Sequence, residues 1–106
     1  MTDCYWVYCT TATKEQALEI GKTLVKERLA ACINVLPEMI SCYHWDNQIM
    51  EDTEAVLIAK TTAEQVEKLC QRIKELHFYE VPCILALPIT SGNEDFLAWV
   101  KKSVQP

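Results

Sequence analysis

Glycine is scarce in this chain of 106 residues, occurring at Gly21 and Gly92 alone. A glycine-rich loop that could wrap a phosphate is therefore missing, and nucleotide binding is disfavoured. Basic residues are in deficit as well: ten Lys and Arg face fifteen Asp and Glu, a net charge of −5. That balance argues against nucleic acid, which needs a basic face, and against a polybasic membrane anchor. No apolar run approaches the roughly 18 residues of a membrane span, so membrane insertion is not expected. Met1-Thr2-Asp3 lacks the basic region of a signal peptide, and the expected location is cytoplasmic. Six cysteines are present without one C-x-x-C pair, which excludes zinc-ribbon and thioredoxin-type motifs. No Ser-His-Asp or Cys-His-Asn set can be assembled around His44 or His77, so an enzyme is not expected.

What is present suits one domain over residues 1–106. Half of the chain is hydrophobic, enough for a core, and the small size favours association with copies of itself. Cys4, Cys9, Cys32, Cys42, Cys70 and Cys83 fall inside apolar runs, so most should be reduced, buried, small hydrophobic residues.

Residues 4–10 are aromatic and nearly unbroken in apolar character, the pattern of a central strand. Thr13 to Gln16 is a capping box, predicting a helix to about Arg28 with Ala17, Ile20, Gly21 and Leu24 inward. A second strand covers 31–36, Pro37 predicts a kink or bulge, and the strand resumes over 39–45. Alternation then puts Ser41, Tyr43 and Trp45 on one face and Cys42 and His44 on the other. Asp46 to Gln48 reads as a turn, and a returning strand has its buried portion at 54–60. The hairpin is longer than a small sheet needs, which invites a partner. Thr62 to Gln65 reads as a second capping box, followed by the amphipathic stripe Val66, Leu69, Cys70, Ile73, Leu76 and His77. Pro82 and Pro88 bracket a strand over 83–87. Ser91 to Glu94 should open a last helix carrying Phe96, Leu97, Trp99 and Val100 to the core, where Trp6 is also placed. The order βαββαβ plus a helix predicts an α+β, ferredoxin-like antiparallel sandwich with an extended hairpin.

Several separated stretches resemble the CutA divalent-cation tolerance family. They are Glu27 to Pro37 (ERLAACINVLP), Tyr43-His44-Trp45, Glu51 to Thr62, His77 to Pro82 (HFYEVP) and Ala86 to Ile89 (ALPI). Together they span essentially the whole chain. The resemblance implies a homotrimer completed by long hairpins and sheet edges, and a place in divalent-cation tolerance, particularly to copper. In mammals it implies a link to anchoring acetylcholinesterase, and it brings no established catalytic reaction. Cys9 and His77 match positions implicated in copper binding in bacterial relatives. This chain has Leu76 where some relatives carry a second histidine, Phe78 where proline is usual, and Cys83 where glutamate is usual.

Thiolate and imidazole donors suit copper, zinc or another divalent cation. Cys9 and His77 supply two ligands, so completion needs water, a neighbouring chain, or the thiol of Cys83. Cys42 and His44 form an alternative two-ligand pair on the hairpin. The resemblance further suggests that Trp45, Glu51, Lys60, Tyr79 and Glu80 line clefts between subunits, where they could hold a small polar ligand or make salt bridges. Three functions follow: a trimeric metal-binding protein, a ligand-sensing trimer similar to PII signalling proteins, and an anchoring scaffold with a protein partner.

Overall fold

The computed structural model describes residues 2–104. The elements are β1 (Cys4–Thr11), α1 (Lys14–Lys26), β2 (Cys32–Trp45), β3 (Gln48–Thr62), α2 (Val66–Leu76), β4 (Ile84–Pro88) and α3 (Glu94–Ser103). One antiparallel sheet carries the strands in the order β2-β3-β1-β4. This is the α+β antiparallel architecture expected from the pattern of elements.

Val7 and Cys9 of β1 share a core cluster with Ala17, Ile20 and Leu24 of α1 and with Leu69 and Ile73 of α2. The odd-numbered side of β1 is therefore the helix-covered side. Gly21 marks the closest approach of α1 to the sheet, since a Cβ there would lie 2.8 Å from Ile33 Cδ1 and 3.0 Å from Leu57 Cδ1. On the opposite face Cys4 packs with Leu97 and Val100 of α3. Trp6 and Tyr8 share that face by parity, paired with Leu87 and Leu85, and both leucines are exposed.

Thr13 caps α1 as predicted, its hydroxyl accepting the Gln16 N–H at 3.1 Å. Gln16 reaches back to the Ala12 N–H, one residue earlier than the usual reciprocal bond. The helix stops at Lys26, short of the predicted Arg28. Arg28 instead takes a left-handed conformation (φ 59°), while Leu29 N–H bonds Leu24 O and Arg28 N–H bonds Val25 O. Those paired bonds are a Schellman stop with arginine in the position that glycine usually fills.

Further sequence expectations fail, among them the placing of Trp6 in the core, since it is half-buried on the open sheet face. Thr62 does not cap α2, because it remains in the β-ladder opposite Cys4; a turn intervenes and Gln65 precedes the helix without a side-chain cap. Phe96 and Trp99 are not core residues: both are 44% exposed, and α3 buries Leu97 and Val100. The cap of α3 is Asn93, accepting from Asp95 N–H and Phe96 N–H. The last strand begins one residue later than expected and ends with Pro88, which is tolerated on an edge strand. The cysteines also divide. Cys4 and Cys9 are buried, Cys32, Cys70 and Cys83 are half-buried, Cys42 is exposed, and all six are free.

Beyond Ala55, β3 has no partner except β2, and the pairs from Met39↔Glu54 to Trp45↔Gln48 form a free two-stranded arm. Asp46 and Asn47 close it with φ of 52° and 61°, as a two-residue type I′ turn requires. At its base Pro37 and Glu38 stand opposite Ala55 alone, the bulge that the proline predicted. The extra residue reverses the parity of β2. Leu36 pairs with Val56 and Met39 with Glu54, so Met39, Ser41, Tyr43 and Trp45 continue the face of Tyr8 and Thr10.

Candidate functional site

Where that face meets the arm and the 79–83 segment, a cavity of about 610 Å³ opens. Its walls include four aromatic rings, those of Tyr8, Tyr43, Trp45 and Tyr79. Glu54 and Glu80 bring carboxylates, Cys83 brings a thiol, Cys42 borders the arm side, and no lysine, arginine or histidine lines it. The bulge places Tyr43 and Trp45 here, and β1 supplies Tyr8.

The segment after α2 is held in place through His77. Its Nε2 lies 2.7 Å from the Thr10 carbonyl, and its Nδ1 accepts the Tyr79 N–H at 3.0 Å. A carbonyl accepts only, so Nε2 carries the proton and both ring nitrogens are engaged. Tyr79 then donates its hydroxyl to Glu54 Oε2 at 2.6 Å, tying the segment to the start of the sheet-bound part of β3. Burial and the neighbouring Glu54 carboxylate push the Tyr79 phenol well above its ordinary range. Tyr8 is raised for the same reasons, burial first, with Cys83 and Glu54 nearby. On the arm, Tyr43 donates to Asp52.

The residues proposed as metal ligands are distributed unevenly around this cavity. Cys9 lies on the helix-covered side, fully buried, with its thiol 3.6 Å from the Thr10 carbonyl. Burial, then Cys83, Cys70 and Glu54, push the Cys9 thiol up to about 12. Cys83 is half-buried and lines the cavity, its thiol raised chiefly by burial. Among the described residues no three His, Cys, Asp or Glu side chains converge into a metal site. A protonated buried thiol and an imidazole with both nitrogens bonded therefore do not fit a closed, resident copper centre. Cys42 and His44 are exposed, alternating with Tyr43 and Trp45 along the arm.

The cleft residues divide as well. Trp45, Tyr79 and Glu80 meet at the cavity. Glu51 pairs with Cys42 on the arm, and Lys60 lies at the far end of β3, where its ammonium bonds Asn34. Within one chain those two do not line the cavity. Sequence reasoning did not single out Glu54 or Tyr8; the only available signal for Tyr8 was its alternation with the buried Val7 and Cys9.

Burial of Cys9 has a measurable alkaline consequence. The unfolded thiol ionises near 9 while the folded one holds its proton to about 12, so the unfolded state is favoured as pH rises through that window. Stability should fall by about 1.4 kcal/mol per unit above pH 9 from this group alone. Urea midpoints at pH 8 and pH 10.5 should show the loss, and Cys9→Ala should flatten it relative to the parent. An equal slope in the variant would assign the effect to other groups.

The family model described as CutA1 divalent ion tolerance protein matches residues 5–103. The Thermus thermophilus divalent-cation tolerance protein CutA is 45% identical over 97 residues, 92% of this chain and 94% of that protein. The chloroplastic CutA of Arabidopsis thaliana is 37% identical over 99 residues, and this chain spans 54% of its length. The crystal structure of CutA from Xylella fastidiosa superposes with a TM-score of 0.95 at 33% identity, covering 98% of this chain and 100% of that one. With the sheet order, the long arm and matches of this extent, the chain belongs to the CutA1 divalent ion tolerance protein family.

Proposed function

We propose that this chain acts in the cytoplasm as a homotrimer serving divalent-cation tolerance, with copper or another divalent cation as cargo and without catalysing a reaction. The observation that carries the trimer is the uncovered sheet face. Leu36, Leu85 and Leu87 are exposed there beside the aromatic rings of Trp6 and Tyr8, and the edges of β2 and β4 have no strand partner among the described residues. Apolar surface next to open strand edges is what a second copy of the chain would cover.

Cation uptake belongs at a thiol that solvent reaches. Cys83, half-buried in the cavity wall, meets that need better than the buried Cys9. Soft sulfur suits copper, and a thiol must lose its proton to bind. Affinity should therefore rise with pH by up to about tenfold per unit for each thiol engaged. Calorimetric titration with zinc, a redox-inert probe, and then with copper should show strong weakening in Cys83→Ser and little change in His77→Ala. Loss of uptake in Cys9→Ser with Cys83→Ser unaffected would return the site to the core thiol. The cavity also supports the ligand-sensing reading, because its volume lies in the range of small-molecule pockets.

A further inference from the structure

The register of the arm groups three metal-binding side chains on the side turned away from Tyr43 and Trp45. Cys42 and His44 alternate with those two along β2, and Glu51 stands directly opposite Cys42 on β3, so all three share one face. All three are exposed. The neighbouring carboxylates of Asp52 and Glu54 are engaged elsewhere, accepting from Tyr43 and Tyr79. From Glu38 to Glu54 the chain carries five Asp and Glu and no Lys or Arg, a field that favours a cation.

The spacing suits one ion. Cross-strand neighbours hold their Cβ atoms about 4.5–5.5 Å apart, and residues two apart on a strand are separated by about 7 Å. Cys42, the shortest side chain, is the shared corner of the triangle. The diagonal from His44 to Glu51, about 7 Å, is spanned by the two longer side chains. Metal bonds of about 2.0–2.3 Å to the three donors can close such a triangle from above the ribbon. Among the described residues no such trio already converges, but exposed side chains change rotamer within nanoseconds, so an ion can gather them.

We infer that Cys42, His44 and Glu51 form an open binding site for a borderline dication such as zinc, on the outer side of the arm and separate from the thiol of Cys83. One sulfur, one nitrogen and one oxygen donor leave the fourth tetrahedral position to water. Binding forms the metal–sulfur bond and releases the thiol proton to solvent. Magnesium and calcium, which take oxygen ligands, are rejected. Use of the site in the cell rests on the cation-tolerance reading, but its chemistry does not need the cavity.

The test uses the intact protein with its thiols kept reduced, in the Cys83→Ser background, so that the cavity thiol is absent. Cobalt(II) is the probe, because thiolate coordination gives a sulfur-to-metal charge-transfer band and a tetrahedral site gives intense visible bands. The expected result is one cobalt per chain with both signatures, displaced by zinc and not by magnesium. Adding Cys42→Ser should abolish the charge-transfer band. His44→Ala and Glu51→Gln should each weaken affinity by about tenfold or more, at least what loss of a supporting partner costs a metal site. Asp52→Asn, on the opposite side of the arm, should change affinity by less than about twofold. Circular dichroism and light scattering check that each variant keeps fold and assembly. No cobalt binding in Cys83→Ser would overturn the arm site, and if the parent still binds, the cavity thiol remains the centre of uptake. A charge-transfer band that survives Cys42→Ser, or full affinity in both His44→Ala and Glu51→Gln, would overturn it too. Binding lost in Cys42→Ser of the parent, while Cys83→Ser alone binds normally, would support the arm site and overturn the cavity thiol instead.

Discussion

Replacing Leu85 and Leu87 together by glutamate should leave the fold of each chain intact and reduce the assembled protein to monomers. Both side chains stand on the open face of β4, paired with Tyr8 and Trp6, and are 56% and 45% exposed in the isolated chain. In a single chain the new carboxylates would remain in water, so folding should change by only a few tenths of a kcal/mol. In a trimer closed over this face, six carboxylates would be buried near one another. Each desolvated charge without a partner costs several kcal/mol, and like charges repel further. The association constant should drop by many orders of magnitude. Light scattering at micromolar concentration should give about three times the chain mass for the parent and the mass of one chain for the variant, with unchanged circular dichroism. A parent that runs as a monomer, or a double variant that stays trimeric, would sink the proposal that this face is the interface.

Ile73→Ala should be strongly destabilising, as expected of a truncation at the centre of the helix layer. Ile73 is fully buried in α2 and belongs to the cluster that joins both helices to β1 and β3. Removing three carbons loses their transfer free energy and leaves a void that the packed neighbours fill only in part, about 2–5 kcal/mol together. For a chain of this size that corresponds to a fall in Tm of roughly 10–30 °C. The comparison must be made at one protein concentration, because the proposed association would raise the apparent stability of parent and variant alike. A loss below about 1 kcal/mol would mean that α2 shifts to close the gap, and would contradict the tight packing described.

The order of elements was legible because its signals were local. The Thr13 cap, the Asp46-Asn47 turn, the Pro37 bulge and the stripe around Leu69 and Ile73 each rest on residues close in sequence. Thr62 misled because its cap chemistry competed with a ladder to Cys4 that no local pattern contains. The error at Phe96 and Trp99 is of another kind. In α3 the i, i+3 pair Leu97 and Val100 and the pair Phe96 and Trp99 form adjoining stripes, and ring size alone favoured the wrong one. The aromatic pair instead packs against itself outside, the rings tilted by 38° with centroids 5.6 Å apart.

The candidate site was only partly legible. Trp45, Tyr79 and Glu80 were grouped through the family resemblance, and the structure brings them to one cavity. The Tyr79–Glu54 bond joins positions 25 residues apart and depends on how the chain returns after α2, anchored by His77 on Thr10. Neither the bond nor the double engagement of the imidazole leaves a periodic trace in the sequence.

The bulge at Pro37 and Glu38 makes the root of the arm tolerant of gene-level change. Losing a single codon there would restore one-to-one pairing opposite Ala55 and leave the pairs from Met39↔Glu54 to Trp45↔Gln48 in place. Tyr43 and Trp45 would keep the face that they share with Tyr8. A codon lost within the strand nearer the Asp46-Asn47 turn would instead move every residue between the gap and the bulge to the other face. Reading-frame-preserving deletions should therefore be tolerated at the bulge and purged from the strand beyond it, although both lie in the same exposed hairpin.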